Sequence, residues 1–108
     1  MATQPVSFSY QRLKVLREFD RDEAPELSGA DVMRLTGLGS GSVYPILVVL
    51  EERGILRSRW EAEEPQTLGR PRRRLYALTD LGAELYRRAA ADVAPVRRGV
   101  PSLRPSEA

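Results

Sequence analysis

Apolar and polar residues alternate in blocks whose period changes along the chain. In the middle, Val43, Ile46, Leu47 and Leu50 fall at i, i+3, i+4 and i+7, which puts them on one face of a helix. Ser40 and Ser42 suit its start, Pro45 belongs in or near the first turn, and Arg53-Gly54 reads as its end. The pattern predicts a helix over 40–53 with a buried back and a small polar tip of Ser40, Ser42 and Tyr44. Upstream, 8–19 predicts a first helix with Phe8, Leu13, Val15, Leu16 and Phe19 apolar. A charged loop over 20–25 ends at Pro25. A short second helix follows over 27–37, with Ser28 as cap, Asp31 three residues on, Ala30, Met33 and Val32 inward and Gly37 at the end.

After Gly54 the period falls to two. Leu56, Ser58 and Trp60 alternate with Arg57, Arg59 and Glu61, so 55–61 predicts a strand. A loop over 62–71 and a returning strand over 72–78 make a hairpin with an arginine-rich tip, and Trp60 is expected to pack in the core or across the hairpin. Thr79 then caps a helix from 80 to about 92 with Leu81, Leu85 and Ala89 on one stripe and Tyr86 beside it. Residues 1–7 predict a loose N-terminus. Residues 94–108, with three prolines and three arginines, predict a disordered basic tail, which leaves 8–93 as one folded domain.

Composition narrows the chemistry. Cysteine and histidine are both absent, which removes disulfides, thiol nucleophiles, imidazole bases and most transition-metal sites. With no paired-carboxylate constellation either, an enzyme is not expected, and no cofactor is. No apolar run is long enough to span a membrane and no leader pattern is present, so the expected location is the cytoplasm. The net charge of +2 says little; its distribution says more. Lys14 is the one lysine, and Arg70, Arg72, Arg73 and Arg74 form the densest basic cluster. Arginine makes planar bidentate contacts to phosphate and guanine, although a GC-rich coding sequence gives the same bias. The acidic residues gather early, at Glu18, Asp20, Asp22, Glu23 and Glu26, so one positive face is expected.

The predicted order, helix, helix, turn, helix, strand, strand, helix, is that of a winged helix-turn-helix: mainly α with a small β-hairpin (α+β). In that reading 40–53 is a recognition helix and the arginine wing spans 61–74. The chain also resembles the PadR family of bacterial transcriptional regulators, in its short members. The likeness runs through Gly41-Ser42-Val43-Tyr44-Pro45-Ile46-Leu47, Leu50-Glu51-Glu52-Arg53-Gly54-Ile55-Leu56 and Ser58-Arg59-Trp60-Glu61. It continues through Gly69-Arg70-Pro71-Arg72-Arg73-Arg74-Leu75-Tyr76-Ala77-Leu78-Thr79 to Gly82.

The resemblance implies a homodimeric repressor of double-stranded DNA. Carried over position by position, it implies DNA contacts at Ser42, Tyr44 and Pro45, with Ser40 beside them, and at Arg70, Arg72, Arg73 and Arg74 of the wing. It implies dimer contacts through the last helix, at Leu81, Leu85, Tyr86 and Ala89, with help from Leu13 and Leu16 of the first. Val48 and Val49 stand where many relatives carry arginine, and the single last helix is short. Some members stack flat ligands on aromatic residues at the dimer interface, so a small-molecule effector stays open here. The competing reading is a protein-interaction module on the same fold that docks on another regulator or on the transcription machinery; exposed Val48 and Val49 would suit it.

Overall fold

The computed structural model of the chain describes residues 8–99. Helix α1 (Tyr10–Phe19) starts two residues later than the pattern predicts, because Ser9 rather than Phe8 supplies the cap: its Oγ accepts from the Arg12 amide at 3.2 Å. Val15, Leu16 and Phe19 are its buried face. Glu18 is also buried, and its carboxylate is matched by Arg21 at 2.6 Å.

The second helical block divides in two. Leu27–Ser28 form a short strand, β1, and helix α2 covers Gly29–Thr36. Ser28 serves both, as strand end and as cap. The Asp31 amide donates to its Oγ at 3.1 Å while the Ser28 amide donates to Asp31 Oδ2 at 3.0 Å, a complete capping box with the shorter acid. Gly37 then turns the chain at φ 78° and donates back to the Met33 carbonyl. Val32 is buried and Met33 is half-buried against the core, as expected, whereas Ala30 faces out, which corrects that one position.

Helix α3 spans Ser40–Glu52. Val43, Ile46, Leu47 and Leu50 are buried as their spacing requires. Pro45 sits just past the first turn, where it denies the Gly41 carbonyl an amide partner. Both residues are exposed, so water can take that place. Strand β2 (Leu56–Trp60) and strand β3 (Arg74–Leu78) pair antiparallel, with Leu56 opposite Leu78 and Trp60 opposite Arg74. β1 adds to the other side of β3, Leu27 opposite Tyr76, so the sheet has three strands in the order β1-β3-β2 rather than two. Two residues are too few to leave a visible alternation, which is why the pattern merged β1 with the helix after it. The wing tip holds a single helical turn, α4 (Pro65–Leu68), closed by Gly69 at φ 70°.

The core gathers where α1, α2 and α3 meet the sheet: Val15, Leu16, Phe19, Val32, Leu47, Leu50, Ile55 and Leu56 are buried together. Helix α5 (Asp80–Gly99) is fixed to the start of β2 by Thr79. The Thr79 amide donates to the Ile55 carbonyl at 3.1 Å, and its Oγ1 donates to the Gly54 carbonyl at 2.7 Å. The Gly82 amide caps back onto Thr79 Oγ1 at 2.9 Å. Arg87 reaches Asp20 at 3.1 Å and ties α5 to the end of α1. α5 extends past the expected end near Asp92, taking in 94–99 of the expected tail. The N-terminal stretch 1–7 and residues 100–108 lie outside the described residues. No helix among the described residues is long and apolar enough to cross a membrane.

Candidate nucleic-acid interface

The tip of α3 is built from small residues and one ring. Ser40 and Pro45 are exposed and Ser42 is half-buried. Tyr44 is 46% exposed, with its ring edge lying on Gly29 at the start of α2. A Cβ at Gly29 would stand 2.4 Å from Tyr44 Cε1, so the missing side chain is what lets the ring lie there.

The wing is organised around one carboxylate. Arg70 grips Glu61 with both ends of its guanidinium, at 2.7 and 3.0 Å, and the Arg73 amide donates to the same Glu61 Oε1 at 2.9 Å. The Arg70 and Arg73 donors hold the Glu61 carboxyl down at about 2. Arg72 folds back on the loop, donating to the Glu63 carbonyl at 2.8 Å and pairing with Glu64 at 3.2 Å. Arg74 donates to Ser58 Oγ at 2.9 Å, lies 3.5 Å from Glu51 and sits 5.3 Å from the centre of the Trp60 ring. Arg73 alone of the four wing arginines has a guanidinium with no hydrogen bond or ion pair among the described residues.

Both parts meet in one groove. Its walls are Ser28, Gly29 and Ala30 from β1 and the start of α2, Tyr44 from α3, Trp60 from β2, Arg73 just before β3, and Arg74 and Tyr76 from β3. Of the eight residues expected at a DNA surface, the groove brings together Tyr44, Arg73 and Arg74. Ser40, Ser42 and Pro45 continue the α3 tip outside it, and Arg70 and Arg72 are spent on the wing itself. Trp60 is not in the core; it is 57% exposed and covered in part by Arg74 across the strand pair. Gly29, Trp60 and Tyr76 line the groove beside Tyr44, Arg73 and Arg74 and are not among the residues expected at the DNA surface. The register that sets Trp60 against Arg74 is the signal for that pair, and it becomes readable only once the length of the wing is known.

The residues expected at a dimer contact separate as well. Leu81 is 54% exposed, Leu13 and Ala89 are half-buried, and Leu85 and Tyr86 are partly buried against the core. Leu16 has no exposed surface at all and belongs to the core, so it has nothing to offer a partner chain.

Comparison with known proteins gives the same fold. The model of the transcriptional regulator PadR-like family matches residues 30–88, more than half of the chain. A PadR-like transcription factor from Bacteroides fragilis superposes with a TM-score of 0.69 at 18% identity, over 87% of this chain and 89% of that one. A PadR-like regulator from Bacillus cereus gives 0.68 at 20%, over 86% and 89%. Bacillus subtilis PadR, solved in complex with operator DNA, gives 0.63 at 19%, over 76% of this chain and 48% of its own. No curated protein matches the chain.

Proposed function

We propose that this chain, which belongs to the PadR-like family of transcriptional regulators, is a sequence-specific repressor that binds an inverted repeat in duplex DNA as a homodimer. The observation that carries the reading is that Tyr44 of the α3 tip and Arg73 of the wing line one groove. A duplex that admits the α3 tip into its major groove therefore brings its backbone to Arg73. Bacillus subtilis PadR, whose fold is similar, was solved on operator DNA, which supports DNA as the partner. In a two-fold pair the two α3 tips enter successive major grooves roughly 34 Å apart, and the site they read is palindromic. Ser40, Ser42 and Pro45 lie along the duplex, and Arg74 holds the wing base to α3 through Glu51 and Ser58. Leu81 and Ala89 of α5, with Leu13 of α1, form the pair contact, and Leu85 and Tyr86 support it from beneath.

Selection of bound sequences from random duplex DNA tests this, with the mass of the free and bound protein measured by light scattering in the same buffer. Recovery of a palindrome by a dimer is expected. The half-exposed Val48 on α3 favours the second reading, a module that docks on another protein. In that case no duplex is retarded in a gel even at low salt.

A further inference from the structure

We propose that Val48 selects bases for α3, by packing against the 5-methyl group of one thymine in each half of the DNA site. This rests on the proposed entry of α3 into a major groove and says what is read there. Tyr44, Val48 and Glu52 follow one another at i, i+4 and i+8, and Pro45 stands three residues before Val48, so the four share the outer face of the helix. All four are exposed, Val48 at 50%. Val48 lies about 6 Å beyond Tyr44 along the axis, at about 1.5 Å per residue. That is about two base-pair steps of roughly 3.4 Å, so a duplex that meets the tip also meets Val48.

The side chains of α3 leave few other ways to read a sequence. Ser40–Glu52 contains no arginine, lysine, asparagine or glutamine, so the bidentate contacts that single out guanine and adenine are closed to this helix. The hydroxyls of Ser40, Ser42 and Tyr44 both donate and accept, and so distinguish bases poorly. Glu51 is engaged by Ser58 and Arg74. Glu52 is exposed, and its carboxylate can only accept, which suits cytosine alone. On the wing, Arg70, Arg72 and Arg74 are held within the chain. Discrimination in the major groove then falls to apolar contact, and the thymine methyl is the apolar group that the base edges offer.

The same exposure could serve a protein partner, and scale decides against it. Tyr44, Pro45 and Val48 form one narrow row bounded by Glu51 and Glu52, whereas a stable protein contact covers roughly 800 Å² on each side. One isopropyl group against one methyl fits the surface that is present.

The test uses the intact protein and a palindromic duplex selected from random sequence. Thymine is expected at one fixed position in each half. Each thymine is replaced in turn, in both halves, by uracil, which differs only in lacking the methyl. At the position facing Val48 the replacement should weaken binding about fourfold per half-site and about fifteenfold for the pair, the effect of leaving one methyl-sized group unburied in each. Cytosine there should bind weakly, and 5-methylcytosine more tightly than cytosine by a similar factor. Val48→Ala, at an exposed helical position, should keep the fold and abolish the thymine–uracil difference, while Pro45→Ala should preserve it. No thymine sensitive to the exchange, a difference that survives Val48→Ala, or a preference for cytosine at that position would overturn the assignment and leave the proposed function standing. A protein that retards no duplex at low salt would sink the proposed function, and the assignment with it.

Discussion

At the scale of single residues, the four wing arginines are not equivalent. Arg70 is an internal strut on Glu61, Arg72 closes the loop and Arg74 bridges to α3 at Glu51, while the Arg73 guanidinium makes no hydrogen bond or ion pair among the described residues. Arg73→Ala should therefore lower affinity for every duplex and reduce the slope of log K against log salt by about one. Arg70→Ala should leave that slope nearly intact and loosen the wing instead, which amide exchange over 61–74 would register. Glu61 adds a pH signature. Its carboxyl is depressed from 4.5 to about 2, so the folded wing favours the ionised form. The contribution is complete above the unfolded value and is lost as pH falls from about 4.5 toward 2. Carboxyl NMR should place the Glu61 midpoint near 2, and Glu61→Gln should remove the acid-dependent shifts of the Arg73 amide. A midpoint near 4.5 would show that Arg70 does not hold it.

At the scale of elements, the junction of β2 with α5 leaves no room for an added side chain. A Cβ at Gly82 would fall 2.1 Å from the Ile55 carbonyl oxygen, a backbone atom that cannot rotate away. Gly82→Ala should cost about 1–3 kcal/mol in urea unfolding, and a midpoint equal to the parent's would mean that α5 can shift. The buried stripe of α3 was legible because four residues share the 3.6-residue period, and both wing strands because theirs is two. β1 was not, being two residues long and sharing Ser28 with a helix cap. The site was legible in its parts and only partly in its membership. Tyr44 and Arg73 stand out by type, but nothing local says that Arg70 will be consumed by Glu61 nine positions earlier. The burial of Leu16 was equally hidden: an apolar position on α1 can face the core or a partner, and only packing decides.

At the scale of the whole molecule, the placement of charge limits how the protein can bind a partner. Much of its arginine is paired within the chain, Arg59 with Glu26 and Arg87 with Asp20 among others, so the net +2 is not a diffuse positive field. Binding should be governed by a few placed cations. In light scattering the chain should behave as a dimer, and Leu81→Glu, which puts a charge on an exposed large apolar residue of α5, should shift it toward monomer without unfolding it. A monomeric parent would remove the basis for a palindromic target.

The closed wing has a thermodynamic consequence. An arm already folded over its own carboxylate has little conformational freedom left to surrender when a partner arrives. Association through it should then be rapid and show only a modest negative heat-capacity change, nearer to rigid docking than to coupled folding. Glu61→Gln would move the signature the other way, because the ordering cost would fall due at the moment of encounter.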